Sequence, residues 1–251
     1  MTKALRASSI LAAWILPHLL ITVIPRTVNA EEQRKVWIGV TGMLSNYKME
    51  DVNNGIRELG LALLGGQFVD DIPVGLGFGA GLGADVSSNI AISVDYDRYT
   101  ARASGGGFNT DLQPERIEVA VSLPANSVGV SVEYRRHYGA GIEIPEAGTW
   151  NIGVGATGGL IWMNGDLDIS TEGQPVDNTT ISGSGPMFEG FLAADTWQNP
   201  RLGFTASVGY RYAKVDNPEM KNSDGGDPSG TLAAIDYSGL FVQVGLKFSL
   251  Q

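Results

Sequence analysis

The chain of 251 residues contains no cysteine. Disulfides, thiolate metal centres and cysteine nucleophiles are therefore excluded. Histidine is almost as scarce, with only His18 and His137. Positive charge is short as well: 17 Lys and Arg stand against 27 Asp and Glu. Nucleic acid is not an expected partner, because neutralising phosphates requires clustered cations. After residue 30 no apolar run approaches the ~20 residues of a membrane-spanning helix.

The first thirty residues are different in kind. Lys3 and Arg6 precede apolar runs at 10–16 and 19–24, and Val28-Asn-Ala30 stands just before Glu31-Glu32. A basic start, a short apolar core and a small-residue exit predict a signal peptide over 1–30. The remainder, 31–251, has the length of one domain. Removing Lys3, Arg6 and Arg26 from the 17 basic residues leaves 14 against 27 acidic ones, a formal charge of −13.

Glycine is what the sequence has in excess. Residues 74–86, VGLGFGAGLGADV, place it at 75, 77, 79, 81 and 83. A dinucleotide-binding fingerprint needs a helix directly after the glycines, and no helical pattern follows. Val74, Leu76, Phe78, Ala80, Leu82 and Ala84 fill the alternate positions, which is the period of a strand. Similar alternation runs through 36–44, 89–101, 150–163, 187–196, 201–213 and 240–250.

The face opposite the apolar one is mainly Gly, Ser, Thr and Ala with isolated charges, not the Lys/Glu coat of a soluble sheet. Apolar side chains facing lipid, with small or polar ones inside, describe a transmembrane barrel. About eight strands leave an interior just wide enough for side chains. Trp150 and Trp162 share the apolar parity twelve residues apart. At ~3.3 Å per residue and a tilt near 45° they are roughly 28 Å apart, close to the ~25 Å between aromatic girdles. Tyr210, Tyr212 and Phe248 share that parity and are assigned to the same girdle.

Short links at 85–89 and 197–200 alternate with long polar stretches at 45–73, 103–114, 164–184 and 216–230, read here as outer loops. Between Leu123 and Val128 the apolar parity flips. Either a hairpin forms there, giving ten strands, or one long strand carries a bulge at Pro124. The preferred fold is all-β, an antiparallel up-and-down transmembrane barrel of eight strands. Within 50–65, Val52, Ile56, Leu59 and Leu63 fall on one helical face. They predict a short helix in the first outer loop, either capping the rim or serving as a plug or partner-binding element.

Asp85, Asp95, Asp97, Glu118, Glu133, Arg135, Glu189, Asp195, Arg211 and Lys247 all take the lumen parity. Buried charges need partners, so an internal ion-pair network is expected, above all among Asp95, Asp97, Glu133, Arg135, Glu189, Asp195, Arg211 and Lys247. Arg98, on the lipid-facing parity near the outer rim, is placed to meet lipopolysaccharide phosphates. Asp166, Asp168, Asp224 and Asp227 lack the spacing of a calcium loop. No metal site or cofactor is expected.

The leader, the first strand with its acidic insert, Gly209-Tyr-Arg-Tyr212 and the closing Tyr237–Phe248 together resemble the small eight-stranded outer-membrane barrels of Gram-negative bacteria, of the OmpA and OmpW membrane-domain type. The resemblance implies an outer-membrane location, contact with membrane lipid and lipopolysaccharide, and insertion by the barrel-assembly machinery. It supplies no activity, since one fold hosts many functions. The segment Tyr134–Gly148 is similar to the histidine segment of lipid A deacylases. Their serine, two residues after the histidine, is replaced here by Gly139. A non-enzymatic barrel with surface loops for envelope integrity, adhesion or ligand contact is expected. A narrow solute channel and a lipid A-modifying enzyme are the alternatives, and the surface ligand is not named by the sequence.

Overall fold

The computed structural model describes residues 36–64, 72, 74–108, 116–138, 150–172, 174–198, 201–222 and 234–250. The predicted signal peptide lies outside them. In chain order the elements are β1 (Val36–Asn46), α1 (Glu50–Leu64), β2 (Val74–Asp85), β3 (Ile90–Thr100), β4 (Arg102–Phe108), β5 (Arg116–Ser122) and β6 (Ala125–Tyr138). They continue with β7 (Trp150–Thr171), β8 (Gln174–Trp197), β9 (Leu202–Asp216), β10 (Glu219–Asn222), β11 (Ala234–Asp236) and β12 (Gly239–Ser249).

Antiparallel pairing runs β1–β2–β3–β6–β7–β8–β9–β12 and returns to β1. The sheet is closed on eight strands, and closure leaves no edge along the ring. One end of the barrel, called the near end, carries Val36, Ser249, the short link 86–89, and the ends of β8 and β9 at Trp197 and Leu202. The far end carries α1, β4, β5, β10, β11 and the tips of β7 and β8.

The ambiguous segment around Pro124 belongs to one long strand, as preferred, but without a bulge. Tyr99 lies opposite Ala125 and Arg102 opposite Ser122, so β4 continues β3 and β5 continues β6 in one unbroken register. Against β7 the register also holds, with Ala125 opposite Met163 and Ser122 opposite Asp166.

The parity flip has another cause. Along β5 and β6 the inward residues are Ile117, Val119, Val121, Leu123 and Ala125, followed by Ser127, Gly129, Ser131, Glu133 and Arg135. Along β7 the outward residues are Ile152, Val154, Leu160 and Trp162, followed by Asn164, Asp166 and Asp168. Orientation is constant while the surroundings exchange. Along β5, β6 and β7 the near part is apolar outside and polar inside, and the far part is apolar inside and polar outside. The exchange is sharp on β7, where the inward side chains pass from the polar Thr157 to the apolar Ile161 and Met163. Stretches at 103–108 and 164–184, read from sequence as loop, are therefore largely strand that continues past the apolar belt. β7 and β8 have 22 and 24 residues, about twice the 9–11 that a bilayer requires.

The far half encloses a hydrophobic core of Met43, Tyr47, Tyr99, Val119, Leu123, Ile161, Met163, Met187, Val215 and Tyr237, among others. Burying each large side chain contributes roughly 1.5–3 kcal/mol. Helix α1 closes this core by packing against β11 and β4. Val52 and Ile56 enter the core beside Ile72, whose backbone N–H donates to Asn53 Oδ1 at 3.0 Å. It is a cap on the far mouth and not a plug in the lumen. The side chains of Leu59 and Leu63 lie outside the described residues.

The glycines of β2 face inward, and neighbouring side chains lie across them. A Cβ at Gly83 would fall on the Trp37 ring, one at Gly79 on the Asp97 carboxylate, and one at Gly81 on the Asp95 carboxylate. Their function is steric. A small barrel can hold Trp37, Asp95 and Asp97 because the neighbouring strand carries no inward side chain at 79, 81 and 83.

Candidate functional site

The near half of the lumen holds a cavity of about 90 Å³ bounded by Trp37, Asp95, Asp97, Glu133, Arg135, Glu189, Phe241 and Lys247, with Thr41, Ser131, Thr157 and Gln243 between them. All eight predicted lumen charges point inward, but they do not form one network.

Toward the near end, Arg135 bridges Asp85 and Glu133 at 2.8 Å each and Asp195 at 3.2 Å. Lys247 Nζ donates to both oxygens of Asp195 at 2.8 Å and lies 4.6 Å from the Trp37 ring. Toward the far end, Arg211 Nε donates to Glu189 at 2.6 Å, and Arg211 also reaches Ser45 Oγ at 3.4 Å. Asp95 and Asp97, on β3 between these groups, join no ion pair among the described residues. Asp95 accepts hydrogen bonds from Ser93 Oγ at 2.8 Å and Ser131 Oγ at 2.6 Å. Ser131 is bonded in turn to Thr157 Oγ1 at 2.8 Å, and Gln243 Nε2 donates to Thr41 Oγ1 at 2.8 Å.

Glu118 does not belong here. It sits beyond the exchange on β5, faces outward and pairs with Arg116 at 3.0 Å. The parity argument missed it because the inward side at that height is apolar.

Above Arg211 the lumen becomes dry. The guanidinium lies against Tyr99 and Phe241, and Tyr99, Leu123, Ile161, Met163 and Met187 are all buried beyond it. Tyr99 and Ser127 share a hydrogen bond of 2.8 Å, and Tyr237 donates to the Leu123 carbonyl at 2.9 Å. These bonds satisfy the Tyr99 and Tyr237 hydroxyls. Sequence reasoning missed this layer, although residues 99, 161, 163 and 187 all carry the lumen parity.

Among the predicted girdle residues, Trp162, Tyr210, Tyr212 and Phe248 are all partly exposed on the outer face. Trp162 packs against Tyr96, ring centres 6.4 Å apart. Trp150 lies opposite Tyr138 and Thr196; its side chain lies outside the described residues. So does that of His137, whose backbone is opposite Asn151 at the near end of β6. Gly139, Asp224 and Asp227 are likewise outside them. Arg98 is exposed on the outer face opposite Phe78 and Asn126.

A closed eight-strand sheet with an apolar outer belt and charged residues inside can satisfy every backbone group in hydrocarbon. This is the architecture of the small eight-stranded outer-membrane barrels. No protein-family model and no curated protein matches the sequence. Among solved structures the barrel is similar to Neisserial surface protein A at 11% identity and a TM-score of 0.40, covering 87% of this chain and 100% of that one. It is also similar to the N-terminal β-barrel domain of Pseudomonas aeruginosa OprF, at 11% identity and a TM-score of 0.41 over 87% and 100% of the two chains. A major outer membrane protein from Thermus thermophilus is similar at 11% identity and a TM-score of 0.47, over 86% and 99%.

Proposed function

We propose that the protein is a non-conducting outer-membrane barrel whose work is done by the far half, a stiff β-structured platform held outside the membrane for surface contact. The dry layer from Tyr99 to Met187 carries this reading. A pore needs a continuous polar path, and here the polar lumen ends beneath buried aromatic and aliphatic side chains. Charged solutes crossing that layer would lose their hydration without replacement.

Catalysis draws no support from the histidine. Its backbone stands at the near end of β6, opposite to the platform, and Gly139 occupies the position of the deacylase serine. The aromatic residues on the outer face suit a girdle between headgroup and acyl chain.

Two measurements test the proposal. In planar bilayers the purified barrel should give no steady unitary conductance; a stable open level would overturn it. Because the chain lacks cysteine, single introduced thiols report sidedness. A membrane-impermeant maleimide should label Thr180→Cys on intact cells and leave Ser88→Cys untouched. The reverse pattern would turn the platform to the periplasm and defeat the surface role.

A further inference from the structure

Closure protects the ring but not the whole far half. The pairing of β2 with β3 ends at Leu76 opposite Thr100, and beyond it β4 pairs with β5 alone. The Leu123 N–H donates to the Ala101 carbonyl at 2.8 Å, which turns the backbone of residues 101, 103, 105 and 107 toward β5. Arg102, Ser104 and Gly106 therefore point their N–H and C=O groups to the other side, where β4 has no neighbouring strand among the described residues. Helix α1 lies beside β4 but does not cover this edge, because Gly106, which is all backbone, is exposed. The opposite end of the pairing order is β10, which is guarded in the usual ways: it has four residues and carries Glu219 and Lys221. β4 has seven, with Gly105-Gly-Gly107, no lysine, no proline and no bulge.

We propose that the free edge of β4 takes up an extended, acidic segment of a partner protein as an added antiparallel strand. The inference rests on the platform standing outside the membrane and names the kind of contact it makes. In strand addition the main-chain hydrogen bonds supply affinity and alternate side chains supply selection. Glycines within a strand suit the close approach of another backbone. The side chains of β4 define the segment. On the outer face Arg102 is exposed, and neither it nor Arg98, earlier on the same face, has an ion pair among the described residues. On the inner face Ala101 and Ala103 belong to the far core. Opposite residues of an antiparallel pair share a face, so a matching strand alternates carboxylates outside with apolar side chains inside. Arginine favours the carboxylate because its planar fork can make two parallel hydrogen bonds to it.

The test uses the full-length barrel folded in detergent and a fluorescent peptide of alternating valine and glutamate, as long as β4. The peptide should bind at one saturable site, and its valine–lysine counterpart about tenfold more weakly or worse. Opposite Arg102, Ser104 and Gly106 the glutamate N–H groups face the edge. Methylating the glutamate nitrogens should therefore cost about tenfold or more in affinity, while methylating the valine nitrogens should cost little. Ser104→Pro removes an N–H that points away from β5, so the barrel should keep its gel mobility without boiling and lose the peptide. If that variant does not fold, the methylated peptides decide, since they leave the protein unchanged. No saturable binding of the valine–glutamate peptide would overturn the proposal, and so would equal affinity for the two methylated copies. Binding in detergent does not depend on which side of the membrane the platform faces, so failure here is distinct from failure of the maleimide labelling.

Discussion

The guanidinium carbon of Arg211 lies 4.1 Å from the centre of the Tyr99 ring, at the level where the polar lumen gives way to the dry far half. Arg211 is 1% exposed and Tyr99 is fully buried. The arginine faces Glu189 on its polar side and aromatic rings on the other, so one side chain joins two environments. Arginine suits the place better than lysine because its flat, weakly hydrated cation can bond edge-on and stack face-on.

Arg211→Met removes the partner of a buried carboxylate. The expected cost is about 3–5 kcal/mol, read from urea unfolding of the barrel in detergent. Adding Glu189→Gln should recover a substantial part of it. If the double variant is as unstable as the single one, the pair is not the source of the effect.

Substitutions on β7 and β5 separate a membrane barrel from a soluble one. Val154 faces outward in the apolar belt and Val119 faces inward in the far core. Val154→Arg should cost about 2–4 kcal/mol in a bilayer, as for cations at mid-depth, but stay within about 0.5 kcal/mol in a sheet that met water there. Val119→Arg should be destabilising in either setting, because it leaves a charge in a dry core. Folding yield into lipid vesicles measures both.

Gly83→Val places side-chain atoms where the Trp37 ring now lies. Such overpacking typically costs about 1–3 kcal/mol. The ring would also move off Lys247, changing tryptophan fluorescence. Trp37→Ala in the same chain should relieve most of the loss. Additive losses would show that Gly83 matters for some reason other than the ring.

Tyr47 and Tyr237 meet edge to face in the far core, ring centres 5.7 Å apart. Burial pushes the Tyr47 phenol up from 10.0 to about 12, against the opposing pull of Arg211, and burial likewise raises Tyr237. A raised folded value means that the folded state holds its proton more tightly. The contribution to stability is complete below pH 10 and is lost as pH climbs toward about 12. Tyr47→Phe should flatten the decline in unfolding temperature over that window. An unchanged slope would mean that other groups dominate alkaline unfolding.

Much of the near half was legible. The glycines at 75–83, the alternation at 150–163 and the closing strand 240–250 fixed the strands, their inward faces and the barrel class, because period-two patterning records which side meets which surroundings. For the same reason the parity of eight charges, from Asp95 to Lys247, could be read as inward from the sequence. Pairing was not legible, because parity gives direction without distance: nothing at 95 or 97 says that Arg211 turns to Glu189 and leaves both aspartates without a cation. The far half misled in a specific way. Its apolar residues at 117–123 carry the same alternation as a lipid-facing strand, yet they point inward.

From the sequence alone came the composition, the two-residue rhythm and the narrow lumen that the glycines permit. Those depend on neighbours within one strand. Only the closed structure decided where lipid-facing polarity ends, how a parity flip arises without any bulge, and which charges stay unpaired. Those depend on the register between strands distant in the chain, and on whether hydrocarbon, water or another side chain occupies the far side of each residue.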